Sequence, residues 1–267
     1  MIIETHDLWK IYGRVEALKG LSLAVPEGSI YALLGANGAG KTTVIKTLLN
    51  VIEPTRGRAT LLGVDSRAIG PEVLAQVGYV SESQVLPGRL KVRQFFDYVR
   101  ACYPRWDRTA EDELRRRMRL PAERRISALS HGMRLKLALA CALPFSPRVL
   151  ILDEPFSGLD ALVRDEVIES FLRHAGETSI LISSHELDEV ERLATHVGVV
   201  DDGRLLFQGP LAELRERSRP LLSRTATAGD AVRASLRDIF VAMAREARGA
   251  QPHAVGGQTS RAVGGQT

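Results

Sequence analysis

The sequence is poor in cysteine and in long apolar runs, and both absences narrow the possible classes of protein. Among 267 residues there are two cysteines, Cys102 and Cys141, too few and too far apart for a disulfide framework or a CxxC metal site. No apolar run approaches the roughly 18 residues that span a bilayer, and the start of the chain lacks the basic-then-apolar pattern of a secretory signal. We therefore expect a cytoplasmic protein with reduced thiols.

The composition is that of an ordinary globular protein. Hydrophobic residues make up 45% and charged residues 25% of the chain, which excludes global disorder. The length fits one α/β domain with a smaller appendage. The net charge is +4, and 30 of the 36 basic residues are arginines. Acidic residues are interspersed with the densest arginine cluster, between 115 and 125, so we interpret this cluster as a solvated helix face rather than an anion-binding surface.

Short apolar runs alternate with helical patterns along much of the chain. Buried strands are predicted at 30–34, 76–80, 149–152, 179–182 and 197–200. Helices are predicted at 44–50, 161–174 and 186–194. Near the N-terminus, Leu21, Leu23 and Val25 alternate with polar or small residues, which predicts a half-buried strand. This alternation of strands and helices is typical of α/β proteins with a parallel sheet covered on both faces.

The remaining segments differ in their hydrophobic pattern and composition, and these differences indicate the domain organisation. The main domain is predicted at 1–219, with a helical insertion at about 88–143 and a last surface helix at 211–219. An appendage at 220–250 carries a further helical pattern at 231–245. The end of the chain, 251–267, is glycine-rich and contains the repeated string AVGGQT, which predicts a disordered tail.

The segment after the strand at 30–34 fits the phosphate-loop pattern G-x-x-x-x-G-K-[ST], and its strand–loop–helix context is the one that the motif requires. Its residues are Gly35, Ala36, Asn37, Gly38, Ala39, Gly40, Lys41 and Thr42. Glycines let backbone N–H groups curl around phosphate oxygens, and the helix N-terminus adds the positive end of its dipole. We expect Lys41 to reach the β- and γ-phosphates, Thr42 to bind Mg²⁺ and Thr43 to contact the α-phosphate.

Two carboxylates, Asp153 and Glu154, follow the apolar run at 149–152. Ligands bind outside the carboxyl ends of the strands in open parallel sheets, so both side chains are well placed to meet a bound nucleotide. We expect Asp153 to hold Mg²⁺ through water. Glu154 is expected to act as the general base that polarises an attacking water molecule.

Further strings occur in a fixed order along the chain. Tyr12 lies in KIYG, 129–133 reads LSHGM, 157–160 reads SGLD, and His185 follows a predicted strand. Together with the phosphate loop and the acidic pair, they resemble the ATP-binding subunit of bacterial ABC transporters, of the exporter-type branch, from about Ile2 to Gly209. The resemblance implies an α/β P-loop NTPase fold. Its central sheet would be mostly parallel, with an antiparallel β part near the N-terminus and a helical insertion subdomain.

The resemblance also assigns roles to three of these residues. Tyr12 is expected to stack on the adenine ring. His185 is expected to hydrogen-bond the γ-phosphate and to hold the water molecule and Glu154 in place. Asp160, at the end of the SGLD string, is expected to lie in the D-loop, which contacts the other subunit near its nucleotide.

The LSHGM string occupies the place of the family signature LSGGQ. Ser130 and Gly132 are retained and are expected to meet the γ-phosphate bound by the opposite subunit, because a helix N-terminus favours an anion. His131 replaces a glycine and Met133 replaces the glutamine. These two departures bear on how tightly two subunits would close around ATP.

The Q-loop is the second departure from the family pattern. The family has a glutamine after a strand ending in GYxP, whereas this chain reads GYVSESQ from 78 to 84. Glu82 lies at the usual register and Gln84 lies two residues later. Either residue is a candidate for contact with Mg²⁺ or the attacking water, and Gln84 is favoured because a loop can absorb two residues.

The resemblance implies a motor subunit that hydrolyses ATP to ADP and phosphate, with ATP and Mg²⁺ as cofactors. It would dimerise around two ATP molecules, with a second copy or a sister ATPase, and drive a separate multi-span membrane permease from the inner face of the membrane. One alternative is a soluble ABC-type ATPase acting on nucleic acid or ribosomes. The single phosphate loop and the lack of a heptad run disfavour it, so no nucleic-acid partner is expected. A GTPase switch is the other alternative, and the LSHGM and SGLD strings and the histidine disfavour it.

Overall fold

The computed structural model describes residues 1–174, 176–222 and 236–249. Its strands are β1 (Ile3–Tyr12), β2 (Val15–Leu21), β3 (Ala24–Val25), β4 (Ile30–Leu34), β5 (Arg56–Leu61), β6 (Val64–Asp65), β7 (Val77–Ser81), β8 (Val149–Asp153), β9 (Ser179–Ser184), β10 (His196–Asp201) and β11 (Arg204–Pro210). Its helices are α1 (Lys41–Leu48), α2 (Pro71–Leu74), α3 (Val92–Cys102), α4 (Arg108–Arg117), α5 (His131–Ala142), α6 (Ala161–His174), α7 (Leu187–Leu193), α8 (Leu211–Leu222) and α9 (Leu236–Gly249).

The larger of two sheets has six strands in the order β11-β10-β4-β9-β8-β7. Neighbouring strands are parallel except for β10 and β11, which are antiparallel. Strands β4, β8 and β9 are buried at every residue, and their apolar runs are typical of parallel strands covered on both faces. Because these strands run in one direction, the loops after β4, β8 and β9 meet at the same edge of the sheet.

The smaller sheet is antiparallel and lies near the N-terminus, with the strand order β2-β1-β5-β6 and with β3 paired to β1. One buried cluster joins this sheet, helix α1 and one face of the larger sheet; it includes Ile3, Leu61, Ile45, Leu33 and Ile151. Helix α1 is therefore held by both sheets, which fixes the position of the loop that precedes it. The two sheets and the helices confirm the predicted fold class.

The helical segment between β7 and β8 packs on the other face of the larger sheet. A second buried cluster joins α3, α5 and the sheet, through side chains such as Phe96, Leu137 and Leu152. Within the helical segment, the 3% exposed Glu111 of α4 accepts hydrogen bonds from Arg100 at 2.8 Å and from Trp106 Nε1 at 2.8 Å. A buried carboxylate needs such partners, so this cluster ties α4 to α3.

The C-terminal helices pack near the β10–β11 edge. Helices α8 and α9 join a third buried cluster that includes Val197, Phe207, Leu214 and Ile239. The predicted helix at 231–245 corresponds to α9, but 231–235 lie outside the described residues. Helix α8 continues to Leu222, beyond the predicted end at 219. The predicted disordered tail at 251–267 also lies outside the described residues. Within the described part of the chain, no helix has the length and apolarity that crossing a membrane requires.

Several local predictions need correction. The strand expected across 21–25 is two strands, because Thr5 Oγ1 donates to Leu21 O at 2.9 Å and accepts from the N–H of Leu23 at 2.8 Å, so this side chain bridges the break. Helix α1 begins at Lys41, three residues before the predicted start. Strands β1, β5, β6 and β11 were not predicted. Their buried residues do not alternate regularly: β1 has register shifts in its pairing, β5 is exposed over its first three residues, β6 has only two residues, and β11 is buried only at Phe207.

Candidate active site

The phosphate-loop segment joins β4 to α1 and requires glycine at both of its ends. A Cβ at Gly35 would lie 2.5 Å from the carbonyl oxygen of Val200, so a side chain has no room there. Gly40 has φ +108°, and a Cβ would lie 2.7 Å from the carbonyl oxygen of Ala17. Because α1 begins at Lys41, the free N–H groups of its first turn lie next to the loop.

The tip of this loop is open to solvent. Ala36, Asn37 and Gly38 are exposed, whereas Ala39 is buried and donates its N–H to Ala36 O at 3.1 Å. Thr43, in the first turn of α1, is half-buried. The loop therefore has a closed turn at its base and an exposed backbone at its tip, which is a shape that suits an anion.

Lys41 folds back over its own loop. Its Nζ donates to the carbonyl oxygens of Gly35 at 2.7 Å and Ala36 at 3.2 Å, and it lies 3.0 Å from Glu154 Oε1. The side chain is only 5% exposed. A buried ammonium group needs oxygen partners of this kind. The positive charge of Lys41 therefore holds its side chain at the loop, and the same charge suits it to bind phosphate.

The structure brings Thr42 and Asp153 together across two strands. Thr42 Oγ1 donates to Asp153 Oδ1 at 3.1 Å, and Ser183 Oγ donates to the same oxygen at 2.6 Å. Ser183 stands opposite Asp153 in the parallel register of β8 and β9. Sequence reasoning missed Ser183, because only the strand order shows that β9 lies beside β8.

Glu154 turns out of β8 with φ +54°, a backbone conformation that is uncommon for a residue other than glycine. Its N–H donates to Ser183 Oγ at 3.0 Å and to Ser183 O at 3.1 Å. Its Oε2 lies 2.7 Å from His185 Nδ1 and 3.3 Å from the backbone nitrogen of His185. The structure thus gathers Lys41, Glu154 and His185 into one cluster beside the phosphate loop.

Other predicted site residues lie at neighbouring helix ends. Ser130 is the N-cap of α5 and accepts from the N–H of Met133 at 3.3 Å. Asp160 precedes α6 and accepts from the N–H of Val163 at 2.9 Å. Gly132 packs against α6, where a Cβ would lie 3.2 Å from Val163 Cγ1. The first two contacts cap their own helices, the approach of Gly132 to Val163 joins α5 to α6, and Ser130 remains exposed.

The two Q-loop candidates have different surroundings. The Glu82 N–H donates to Asp153 O at 3.0 Å, and the Glu82 side chain accepts from Ser157 Oγ at 2.8 Å. Gln84 is exposed and donates its N–H to Ser81 O at 3.1 Å. The choice between Glu82 and Gln84 stays a prediction, but Glu82 is the one that contacts the acidic strand end.

A large apolar groove lies between the Q-loop and the helical segment. Its volume is about 610 Å³, and its lining includes Gln84, Val85, Leu90, Phe95, Tyr98 and Cys102. The lining also includes Tyr79 and Cys141. Burial raises the pKa of the Tyr79 hydroxyl, and burial raises the pKa of the Cys141 thiol well above its usual value. Both groups are therefore neutral at physiological pH.

Tyr12 lies at the hairpin that joins β1 to β2. It pairs with Val15, its side chain is 46% exposed, and Lys10 Nζ lies 5.0 Å from the centre of its ring. Strand β2 continues from this hairpin to Ala17, whose carbonyl oxygen approaches Gly40. The tyrosine is thus attached to the strand that packs against the phosphate loop.

A phosphate loop on a central parallel strand, with acidic residues ending a strand two places away, is the arrangement of P-loop nucleotide-hydrolysing proteins. A family profile described as ABC transporter matches residues 18–157. The bacitracin transport ATP-binding protein BcrA of Bacillus licheniformis is 36% identical over 226 residues, which cover 83% of this chain and 74% of BcrA. The daunorubicin resistance ATP-binding protein DrrA2 of Streptomyces coeruleorubidus is 38% identical over 211 residues, or 76% of this chain and 65% of DrrA2.

A solved ATP-binding subunit of an ABC transporter matches with a TM-score of 0.79 and 27% identity, covering 91% of this chain and 99% of that one. The chain belongs to the ABC transporter family. Within that family it is an ATP-binding subunit, and its activity is ATP hydrolysis coupled to transport.

Proposed function

We propose that this chain is the motor of an exporter and that it closes on a second ATPase subunit around two ATP molecules. The observation that carries the catalytic part is the cluster of Lys41, Glu154 and His185 beside the phosphate loop. It joins a cation, a carboxylate and an imidazole at the carboxyl edge of a parallel sheet, where ligands of α/β proteins bind.

The phosphate loop would hold the triphosphate through its backbone, from Gly35 to Gly40, and through the first turn of α1. Lys41 would leave the carbonyl oxygens of the loop and donate its hydrogen bonds to the β- and γ-phosphates instead. It would then stabilise the charge that develops on the γ-phosphoryl group. Thr43 would contact the α-phosphate. Tyr12 would stack on adenine, and its half-exposed ring leaves a face for that contact.

Thr42 and Asp153 fit a Mg²⁺ site that is completed by the phosphates. Their oxygens already lie 3.1 Å apart, and Mg²⁺ prefers oxygen ligands, with one or two carboxylates beside substrate phosphates. The ion would neutralise charge between the β- and γ-phosphates. Gln84 is the favoured further ligand from the Q-loop, with Glu82 as the alternative.

Glu154 would act as the general base. Its carboxylate is held between Lys41 and His185, and a carboxylate within reach of a water molecule can take its proton as the water attacks phosphorus. His185 would contact the γ-phosphate and keep Glu154 oriented. This assignment predicts that removal of the Glu154 carboxylate lowers kcat more than removal of the His185 imidazole does.

The second subunit would complete each nucleotide site. Ser130 is exposed at the N-terminus of α5, a helix of 12 residues, and its free N–H groups suit a γ-phosphate bound by another chain. Gly132 and Asp160 would contribute to the same contact. Leu162, two residues after Asp160, is 71% exposed, as expected of a side chain that another subunit covers.

The membrane partner would be a separate multi-span permease that docks in the groove of the helical segment, with this chain peripheral on the inner face of the membrane. The groove is apolar and carries the exposed side chains of Val85 and Tyr98. Apolar grooves of this kind accept short helices of partner proteins. The names of the relatives, which refer to bacitracin transport and daunorubicin resistance, support export of a drug-like compound.

An affinity capture from detergent-solubilised native membranes with Mg-ATP tests this proposal. The tagged chain should retain a stoichiometric multi-span membrane protein, identified by mass spectrometry. Tyr98→Asp should lose it, whereas Val51→Asp should keep it, because Tyr98 and Val51 are 63% and 64% exposed but only Tyr98 lines the groove. Capture of ribosomal or nucleic-acid partners alone, without a membrane protein, would favour the soluble class instead.

A further inference from the structure

The loop after β7 is fixed to the acidic end of β8. Ser81 stands opposite Asp153 in the parallel ladder, and the N–H of Glu82 extends the contact by donating to Asp153 O at 3.0 Å. Glu82 therefore occupies after β7 the place that Glu154 occupies after β8. Two glutamates thus follow neighbouring strands at the same register, and their carboxylates have different partners.

The Glu82 side chain holds the turn that follows Glu154. Ser157 Oγ donates to Glu82 Oε1 at 2.8 Å, and the N–H of Ser157 donates to Glu154 O at 3.3 Å. Between them, Phe156 is 1% exposed and anchors the turn in the core. Hydrogen bonds to an ionised acceptor are roughly twice as strong as neutral ones, so this contact restricts the turn more than an ordinary serine bond would.

His131 holds the same turn from the other side. Its Nε2 lies 3.2 Å from Ser157 O, and since a carbonyl oxygen can only accept, Nε2 must carry the proton. The ring also lies against Gly158, where a Cβ would be 3.7 Å from it. A glycine at 131, as in the family signature, has no side chain to make this bond.

We propose that Glu82 is a positioning residue for ATP hydrolysis: acting through Ser157, with His131 opposite, its carboxylate fixes the turn that begins at Glu154. This inference rests on the proposed role of Glu154 as general base. It also connects the groove to the site, because Gln84 and the residues after it line the groove on the same loop. A partner that moves this loop would change the position of Glu154 through the hydrogen-bonded side chains of Glu82 and Ser157.

A double-mutant cycle on the full chain tests the proposal, with steady-state ATPase kinetics for wild type, Glu82→Ala, Ser157→Ala and the double variant. Each single change should lower kcat about tenfold, the lower end of what a hydrogen bond to a charged acceptor supplies, and leave KM for ATP within about twofold. The double variant should be no slower than either single variant, because both remove the same bond. Losses that multiply, or a single variant with wild-type kcat, would overturn the proposal.

Two further variants separate the hydrogen bond from general damage. Glu82→Gln keeps an oxygen that accepts from Ser157 Oγ and should retain at least about half of the wild-type kcat; a loss equal to that of Glu82→Ala would overturn the proposal. Ser83→Ala is the matched control, because Ser83 Oγ bonds Ser81 Oγ at 3.1 Å on the same loop without reaching Ser157. Ser83→Ala should keep the wild-type kcat. A tenfold loss of kcat in Ser83→Ala would mean that any change in this loop lowers activity, and it would overturn the specific role of Glu82.

The same assay distinguishes failure of this inference from failure of the general-base assignment. Undiminished turnover by Glu154→Gln would remove the base assignment, whatever the cycle showed. Loss of turnover by Glu154→Gln together with an additive Glu82–Ser157 cycle would keep the base assignment and reject the positioning role alone.

Discussion

The ammonium group of Lys41 lies 3.0 Å from the carboxylate oxygen Oε1 of Glu154, and both side chains are largely buried. The proposed phosphate ligand and the proposed base are thus paired with each other. A γ-phosphate that took over Lys41 would release one side of Glu154 and leave it with His185. Binding of nucleotide would therefore free the carboxylate for an attacking water molecule.

Glu154→Gln should lower kcat by about 10²-fold or more, because loss of a general base typically costs 10²–10⁴. The amide keeps the size of the side chain, so ATP should still bind and the ATP-bound dimer should accumulate. Size-exclusion chromatography with light scattering in Mg-ATP measures the dimer, and a phosphate-release assay measures kcat. Wild-type turnover would reject the role assigned to Glu154.

Lys41→Ala should weaken ATP binding by about 10- to 100-fold, the equivalent of one hydrogen bond to a charged group. Isothermal titration with ATP measures this change. Lys46→Ala is the matched control, since Lys46 is exposed on the same helix, and its affinity should equal that of wild type. If the two variants bound ATP equally well, Lys41 would not be the phosphate ligand.

Ser183→Ala should lower the free energy of unfolding by about 1–3 kcal/mol. The variant loses the buried hydroxyl that donates to Asp153 Oδ1 and accepts from the N–H of Glu154. It should also lower kcat, since the carboxylate of Asp153 and the backbone N–H of Glu154 each lose an orienting partner. Urea denaturation and ATPase assays measure the two effects.

Ser184→Ala is the comparison for that variant. Ser184 is also buried, but its hydroxyl bonds the backbone of Glu186. We expect a similar loss of stability with a smaller loss of kcat. Equal losses of kcat in both serine variants would mean that the effect of Ser183 is general destabilisation of β9.

Cys102 should react with a thiol reagent much faster than Cys141. Cys102 is exposed, whereas Cys141 is buried and burial raises the pKa of its thiol, which lowers the thiolate fraction that reacts. Kinetics of labelling with a chromogenic disulfide should show one fast thiol, and Cys102→Ser should remove it. Because Cys102 lines the groove, a docked permease should protect it, and unchanged labelling in the complex would argue against docking there.

The sequence predicted what lies within one contiguous stretch. The phosphate loop is one string that includes the turn, the glycines and the start of the helix, so its position between β4 and α1 follows from local pattern. Asp153 and Glu154 likewise end a strand that is apolar throughout. Each of these features depends on neighbours in the chain rather than on the order of strands in the sheet.

The contacts that the sequence did not predict all join distant segments. Ser183 meets Asp153 because β9 lies between β4 and β8, and no pattern in either strand contains that order. The bond between Glu82 and Ser157 has the same origin, since it depends on β7 lying beside β8. Strand β1 was missed because register shifts in its pairing break the alternation of buried residues, and β5 was missed because its first three residues are all exposed.

The left-handed backbone at Glu154 has a consequence for the evolution of this site. A residue with a Cβ pays about 1–2 kcal/mol to adopt such a conformation, and glycine adopts it without that strain. Glycine at 154 would remove this strain, but it would also take from the buried ammonium group of Lys41 its carboxylate partner. A variant that gained heat resistance through glycine at 154 would lose the proposed base, so a screen for stability on this chain needs an activity filter.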